Sequence, residues 1–496
     1  MAKVSQAIAP VIAVDRNASD PLHKQIYDGF RMAIVRGNLR GGQRVPSSRL
    51  LSVDLGISRI PVLNAFAQLL AEGYFESRRG AGTFVSDSLP EGLTVCQDRR
   101  PQAAQAGSGP RPVARRSLLL SHYERPAWAA GWGAFSVHQP AFDHFPFAIW
   151  SSLVMRHSRS PGVAAIHNTD PLGSETFRQA ICEYLRTARA VQCEPSQVMV
   201  VAGSQQALDI SARVLLGAGT AVWFEEPGYR LAKNVFAGAG CRLVPVPVDQ
   251  DGMIVSDGIK RSAKARAAYV TPSHQYPLGA TMSAARRMQL LNWAQTAGSW
   301  IIEDDYDSEY RFESAPISSL QGLDRNARVI YIGTFSKVLF PSLRLGYIVI
   351  PHDLVHHFVA VRAAMDIFPP YLSQEVLTDF MREGHFARHI RRMRLLYGQR
   401  RTALVESIRE QFGSRLEIHG TQAGMHLAVT LPKGLPNGLS DREIANNAAR
   451  EGLWLWPLSP SYLGAKRRQG FVLGFGNTPV EEMPHAVSQL RAQLAK

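Results

Sequence analysis

The segment Val329–Ile350, VIYIGTFSKVLFPSLRLGYIVI, constrains the fold more than any other part of the chain. Two uninterrupted apolar runs, Val329–Ile332 and Leu345–Ile350, have the length of buried strands. The loop between them carries Lys337 among Gly333, Thr334, Ser336, Pro341 and Arg344. A lysine so placed either snorkels to the surface or is an amine held for carbonyl chemistry. The hydroxyls of Thr334 and Ser336 and the donor fork of Arg344 suit a phosphate beside the amine, which favours the second reading. An amine next to a phosphate cradle points to pyridoxal phosphate.

From Trp132 onward, strand-length apolar runs alternate with helical stretches, the pattern of an α/β domain with a mostly parallel sheet. In such sheets ligands sit at the carboxyl ends of strands, so the residues after each run carry the chemistry. After Val198–Val201, Gly203, Ser204 and Gln205 open a helix, where unpaired backbone N–H groups attract an anion; serine there is also a routine N-cap. After Ala221–Phe224 comes Glu225-Glu226-Pro227-Gly228-Tyr229, and after Ala267–Val270 comes TPSHQYPLG, Thr271 to Gly279. After Trp300–Ile302 comes Glu303-Asp304-Asp305-Tyr306-Asp307. A carboxylate at the end of a buried strand is costly unless it meets a cation, and a pyridinium nitrogen is one.

The N-terminal part has a different grammar. Leu22, Ile26, Phe30 and Ile34 repeat at helical spacing until Gly37 stops the helix. Ser47 and Ser48 cap a second helix through Leu55, Gly56 turns the chain, and Ser58 caps a third whose Val62, Phe66, Leu69 and Leu70 face inward. Two short strands follow, Tyr74–Glu76 and Thr83–Val85, around a basic turn with Arg78, Arg79 and Gly82. Helix, tight turn, helix and hairpin form a winged helix-turn-helix, in which the third helix offers its first turn to base edges and phosphates. Pro61 falls within that first turn, where proline is tolerated.

Between these regions, residues 88–131 are rich in Ala, Gly, Pro and Arg without a hydrophobic period, as expected of a linker. Its Arg99, Arg100, Arg111, Arg115 and Arg116 either brush DNA phosphates or are simply solvated. The expected division is thus 1–87, 88–131 and 132–496. The formal charge of +14 permits nucleic-acid binding without demonstrating it. Cys96, Cys182, Cys193 and Cys241 show neither zinc-ligand nor disulfide-framework spacing, so no metal is expected. With no signal-peptide core and no membrane-length apolar run, the expectation is a cytoplasmic protein.

GTFSK followed by LRLGY resembles the Schiff-base segment of fold-type I aminotransferases, and TPSHQYPLG resembles its form in the MocR/GabR-like regulators. PSSR, LGISR, LLAEGY and GAGTFV resemble the winged helix of the GntR family. The resemblance implies a Schiff base between Lys337 and pyridoxal phosphate, with Gly203, Ser204 and Gln205 as the phosphate loop beside Thr334, Ser336 and Arg344. It further implies that Tyr229 stacks on the cofactor ring, Tyr276 stands where aminotransferases have an asparagine, Asp304 meets the ring nitrogen and Tyr306 the phenolic oxygen. Asp305 and Asp307 are expected to be solvent-facing or structural. Arg44, Ser48, Arg49, Ser58, Arg59, Arg78, Arg79, Gly82 and Thr83 would face operator DNA in a head-to-tail homodimer.

In aminotransferases an arginine near the C-terminus holds the substrate carboxylate; the aligned position in GFVLGFG is Val472. Efficient turnover of α-amino acids is therefore not expected, and a regulator sensing an amine, an amino acid or pyridoxal phosphate itself is. The alternative is an active aminotransferase with a DNA-binding appendage, in which Arg230 or His274 substitutes for the missing arginine; both are candidate effector contacts.

Overall fold

The computed structural model describes residues 12–78, 80–87, 113, 126–159, 167, 170–312, 317–432, 434–435, 438–465 and 467–495. The chain divides into two compact units, Met1–Pro112 and Val113–Lys496.

In the first unit, α1 (Leu22–Val35) buries Ile26, Phe30 and Ile34. Helix α2 (Ser48–Asp54) is capped by Ser47, whose hydroxyl accepts the Leu50 N–H. Gly56 at φ 63° makes the left-handed turn into α3 (Arg59–Ala71), whose first turn accommodates Pro61. Helix α3 buries Val62, Ala65, Phe66 and Leu69; Leu70, expected inside, is on the outer face at 37% exposure. Strands β1 (Phe75–Arg78) and β2 (Gly82–Val85) pair antiparallel as the wing. Phe30, Phe66 and Phe75 meet edge to face with centroids 5.2 to 5.6 Å apart and lock helices and wing together.

The second unit holds the expected sheet. Strands β3 (Val198–Val201), β4 (Ala221–Glu226), β5 (Arg242–Asp249), β6 (Gly252–Met253), β7 (Ala267–Val270), β8 (Trp300–Asp305), β9 (Val329–Thr334) and β10 (Gly346–Val349) lie in the order β3-β10-β9-β8-β7-β4-β5-β6. All pairs from β5 to β9 through β4, β7 and β8 are parallel, whereas β10 runs antiparallel to both β3 and β9. Because β9 runs parallel to β8, the Lys337 loop that follows it lies at the same sheet edge as the carboxyl ends of the other parallel strands. A second sheet, β11 (Glu417–His419), β12 (His426–Thr430), β13 (Trp456–Pro457) and β14 (Gly470–Gly474), is antiparallel throughout.

Ala127–Ala129 form a turn whose Trp128, 5% exposed, enters the core beneath the second sheet, so the last residues of the expected linker belong to the large unit. The large hydrophobic payload of a tryptophan accounts for this against the flexible composition around it. The linker arginines Arg99, Arg100, Arg111, Arg115 and Arg116 lie outside the described residues. Although the cysteine spacing indicated nothing, the sulfurs of Cys182 and Cys193 lie 3.5 Å apart as free thiols.

Candidate functional site

The carboxyl ends of β3, β4, β7, β8 and β9 surround a cavity of about 160 Å³ lined by Ser204, Gln205, Tyr229, Tyr276, Asp304, Tyr306, Thr334, Ser336, Lys337 and Arg344. Gly203 borders it: at φ 89° it starts the helix Ser204–Leu215, and a Cβ there would lie 3.3 Å from the Arg344 guanidinium. Arg344, itself left-handed at φ 52°, donates to the Ala202 carbonyl, which fixes its guanidinium over the helix N-terminus. This close approach requires Gly346, whose Cβ would press 3.1 Å from the Gly203 Cα. Guanidinium, free helix N–H groups and the Thr334 and Ser336 hydroxyls thus converge as an anion cradle.

Opposite the cradle, Asp304 is buried at the end of β8. Its Oδ2 accepts the Tyr269 hydroxyl at 2.8 Å, while Oδ1 meets no hydrogen-bond donor among the described residues. Burial pushes its carboxyl up to about 7. Burial likewise pushes the Lys337 amine down to about 8, with Asp307 and Asp304 opposing the shift. An amine near neutrality, an anion cradle and a buried carboxylate oxygen without a donor are what pyridoxal phosphate requires, and the residues present fit it.

Asp305 and Asp307 are structural. Asp305 accepts from Arg189 at 2.8 Å, Tyr331 at 2.5 Å and Ser308 at 2.9 Å. Asp307 holds His274 Nδ1 at 3.0 Å and accepts the Met425 N–H at 3.2 Å. The Tyr306 hydroxyl donates to the His274 carbonyl at 2.8 Å, and His274 lies behind it, buried and outside the cavity lining. A second cavity of about 440 Å³ shares His138, Tyr229, Leu231 and Tyr276 with the first and is completed by Pro126, Ala129, Arg230, Trp456, Pro460 and Ser461. The Arg230 guanidinium is held there over the Trp128 ring, 5.6 Å from its centroid. Val472 is buried in β14, clustered with Val137, Tyr276, Leu458 and Tyr462.

His138, Leu231, Tyr269, Thr271 and Pro341 complete the lining, none of them singled out as a site residue from the sequence. Thr271 stood in the TPSHQYPLG motif and Tyr269 in the strand before it; both carried a local signal. His138 carried none: it precedes every strand of the large sheet and reaches the site at φ 69°, stacked on Tyr276 with centroids 5.3 Å apart. Burial, then the Lys337 charge, holds its imidazole well below the usual histidine range.

In the first unit, Ser58 leaves its hydroxyl uncommitted to capping, and the exposed Arg59 donates to Ser48 Oγ at 3.1 Å. Arg44 lies against Gly82, where a Cβ would come within 3.2 Å of its Nε. Arg49 is exposed, and Thr83 accepts the Val45 N–H through its carbonyl. Arg78 is tied to Glu76 at 2.8 Å and to Asp87 at 3.3 Å over the Phe84 ring, while Arg79 lies outside the described residues.

Residues 22–85 match the family described as bacterial regulatory proteins, gntR family, and residues 160–487 match aminotransferase class I and II. The chain is 39% identical, over 97% of its length and 95% of the relative, to "Probable rhizopine catabolism regulatory protein MocR" of Rhizobium meliloti. It is 34% identical, over 97% of each chain, to "Uncharacterized HTH-type transcriptional regulator YhdI" of Bacillus subtilis. The solved archaeal alanine:glyoxylate aminotransferase superposes with a TM-score of 0.70 at 25% identity, covering 77% of this chain and 98% of that one. With both domains matched and likeness running the full length, the chain belongs to the MocR-like branch of the GntR-family transcriptional regulators, in which a winged helix-turn-helix precedes an aminotransferase-like domain.

Proposed function

We propose that this chain is a pyridoxal-phosphate-dependent transcriptional regulator that senses an amine or amino acid in its aminotransferase-like domain and answers through its winged helix on operator DNA. One observation carries the reading: Lys337 and Asp304 converge in one cavity, while the position of the substrate-carboxylate arginine is the buried Val472. Pyridoxal phosphate supplies an aldehyde that captures amines and a cationic ring that draws electrons.

The protein's residues divide that work. With its amine at about 8, Lys337 is uncharged in about a tenth of molecules at pH 7, against well under a hundredth for an ordinary lysine. Arg344, Thr334, Ser336 and the N–H groups opening the helix Ser204–Leu215 bind the phosphate. Asp304 would hold the proton at the ring nitrogen, and Tyr229 would cover the ring face. The effector enters through the adjoining cavity, where Arg230 offers a cation to an acidic group, while His274 lies outside that lining. Two chains form a head-to-tail dimer; the exposed Phe147, Ile367 and Leu372 of the large unit are surfaces such pairing would cover. To switch transcription, the effector must favour one domain arrangement over the other by about 1–3 kcal/mol.

No helix among the described residues is long and apolar enough to cross a membrane, in keeping with action on cytoplasmic DNA. The test is the absorption spectrum of the purified protein, titrated with a panel of amines and amino acids and followed by keto-acid analysis. A saturable shift with one compound and no accumulating keto acid supports the sensor. Multiple-turnover keto-acid formation makes the chain an aminotransferase that also binds DNA.

A further inference from the structure

The outer face of the recognition helix is unusually apolar where it would enter DNA. Ile60, in the first turn of α3, is 68% exposed, and Leu63 one turn on is 44% exposed, while Val62, Ala65, Phe66 and Leu69 fill the core from the opposite side. Neither exposed side chain belongs to that core. Asn64 follows Ile60 by four residues on the same exposed face. The same unit exposes the guanidinium groups of Arg44, Arg49 and Arg59, the last at the start of α3 and steadied by Ser48 Oγ. This charge suits phosphates, but an isoleucine has nothing to offer a phosphate or a hydrogen-bonding base edge. The major groove presents one apolar group, the C5-methyl of thymine, and its neighbour on the same pair, the adenine edge, is the preferred partner of an asparagine amide.

We infer that Ile60 reads a thymine methyl in each operator half-site, with Asn64 on an adenine edge one helical turn along α3. This rests on the DNA-binding reading and specifies what that surface recognises: an A·T pair identified by its methyl group.

The experiment uses the full-length, cofactor-loaded protein and a duplex library with a randomised centre. The enriched site is then resynthesised with each thymine in turn replaced by deoxyuridine, which removes only the methyl. Losing burial of one methyl at a single half-site weakens binding about fourfold, and losing it at both half-sites weakens it about fifteenfold. In Ile60→Ala the thymine and uracil duplexes bind equally, whereas Arg59→Ala weakens binding but keeps the thymine preference. Because Ile60 is solvent-facing, its truncation leaves the fold intact, which an unchanged thermal midpoint verifies. Uracil insensitivity at every position in the wild type, or a thymine preference that survives Ile60→Ala, overturns the proposal while leaving DNA binding standing. A library that yields no enriched sequence removes the DNA-binding reading and the proposal with it.

Discussion

Replacing Lys337 by methionine in the cofactor-free protein tests whether burial sets the reactivity of the amine. The amine falls from 10.5 to about 8, and about 2.5 units at about 1.36 kcal/mol each amount to about 3 kcal/mol by which the buried group opposes folding at neutral pH. The sign follows from proton counting. Between about 8 and 10.5 the unfolded chain holds the extra proton, so this group's contribution to stability rises with pH in that window. The destabilisation is complete below about 8 and gone above 10.5. Lys337→Met, which keeps the volume and discards the charge, therefore raises the thermal midpoint by a few degrees at pH 7, and the gain shrinks to nothing by pH 10.5. Calorimetry of both proteins across that range is the assay. A variant less stable than the wild type at pH 7, or a gain independent of pH, refutes the argument that burial governs this amine.

Asp304→Asn removes the carboxylate from the ring-nitrogen position and weakens retention of pyridoxal phosphate by roughly 10- to 100-fold, measured by equilibrium dialysis, as expected of a charge-assisted hydrogen bond. Asp305→Asn acts instead on folding: it strands the buried Arg189 and lowers stability by about 3–5 kcal/mol in denaturant titration, with cofactor affinity of the folded fraction unchanged. Arg59→Ala costs about 1–3 kcal/mol of operator affinity in a fluorescence-anisotropy titration without altering cofactor uptake. Arg230→Ala lowers the affinity of a carboxylate-bearing effector and leaves the spectrum of the bound cofactor as it was; an unchanged effector titration removes Arg230 from the outer cavity's role.

Much of this site was legible because its residues sit where a strand ends and the chain must turn. Gly203-Ser204-Gln205 after β3, Asp304 after the apolar start of β8 and the Lys337 loop after β9 each announce themselves locally, and a parallel sheet delivers them to one edge. The winged helix was legible for the same reason: caps, glycine turns and apolar spacing are short-range signals. What escaped is set by packing between distant segments. Trp128 joins the core of the second sheet from within a linker-like composition, and His138 arrives before the first strand of the large sheet. Leu70 follows the helical apolar spacing yet faces solvent, since α1 and the wing saturate the inner side of α3 with Val62, Ala65, Phe66 and Leu69.

The through-space residues also explain why Lys337 is the group that yields its proton. His138 and His426 are both held well below the usual histidine range, first by burial, with the Lys337 charge adding to the effect. Among the described residues lining the cavity itself, the Arg344 guanidinium and the Lys337 amine are the cationic side chains, with Arg230 in the adjoining cavity. Desolvation acts on the buried Lys337 amine, which relieves it by losing its proton. Val472, expected at the position of a substrate arginine, is instead packed in an apolar cluster with Tyr276 and brings no charge to it. A buried amine beside an anion cradle is suited to capturing an incoming amine, the step on which the proposed sensing rests.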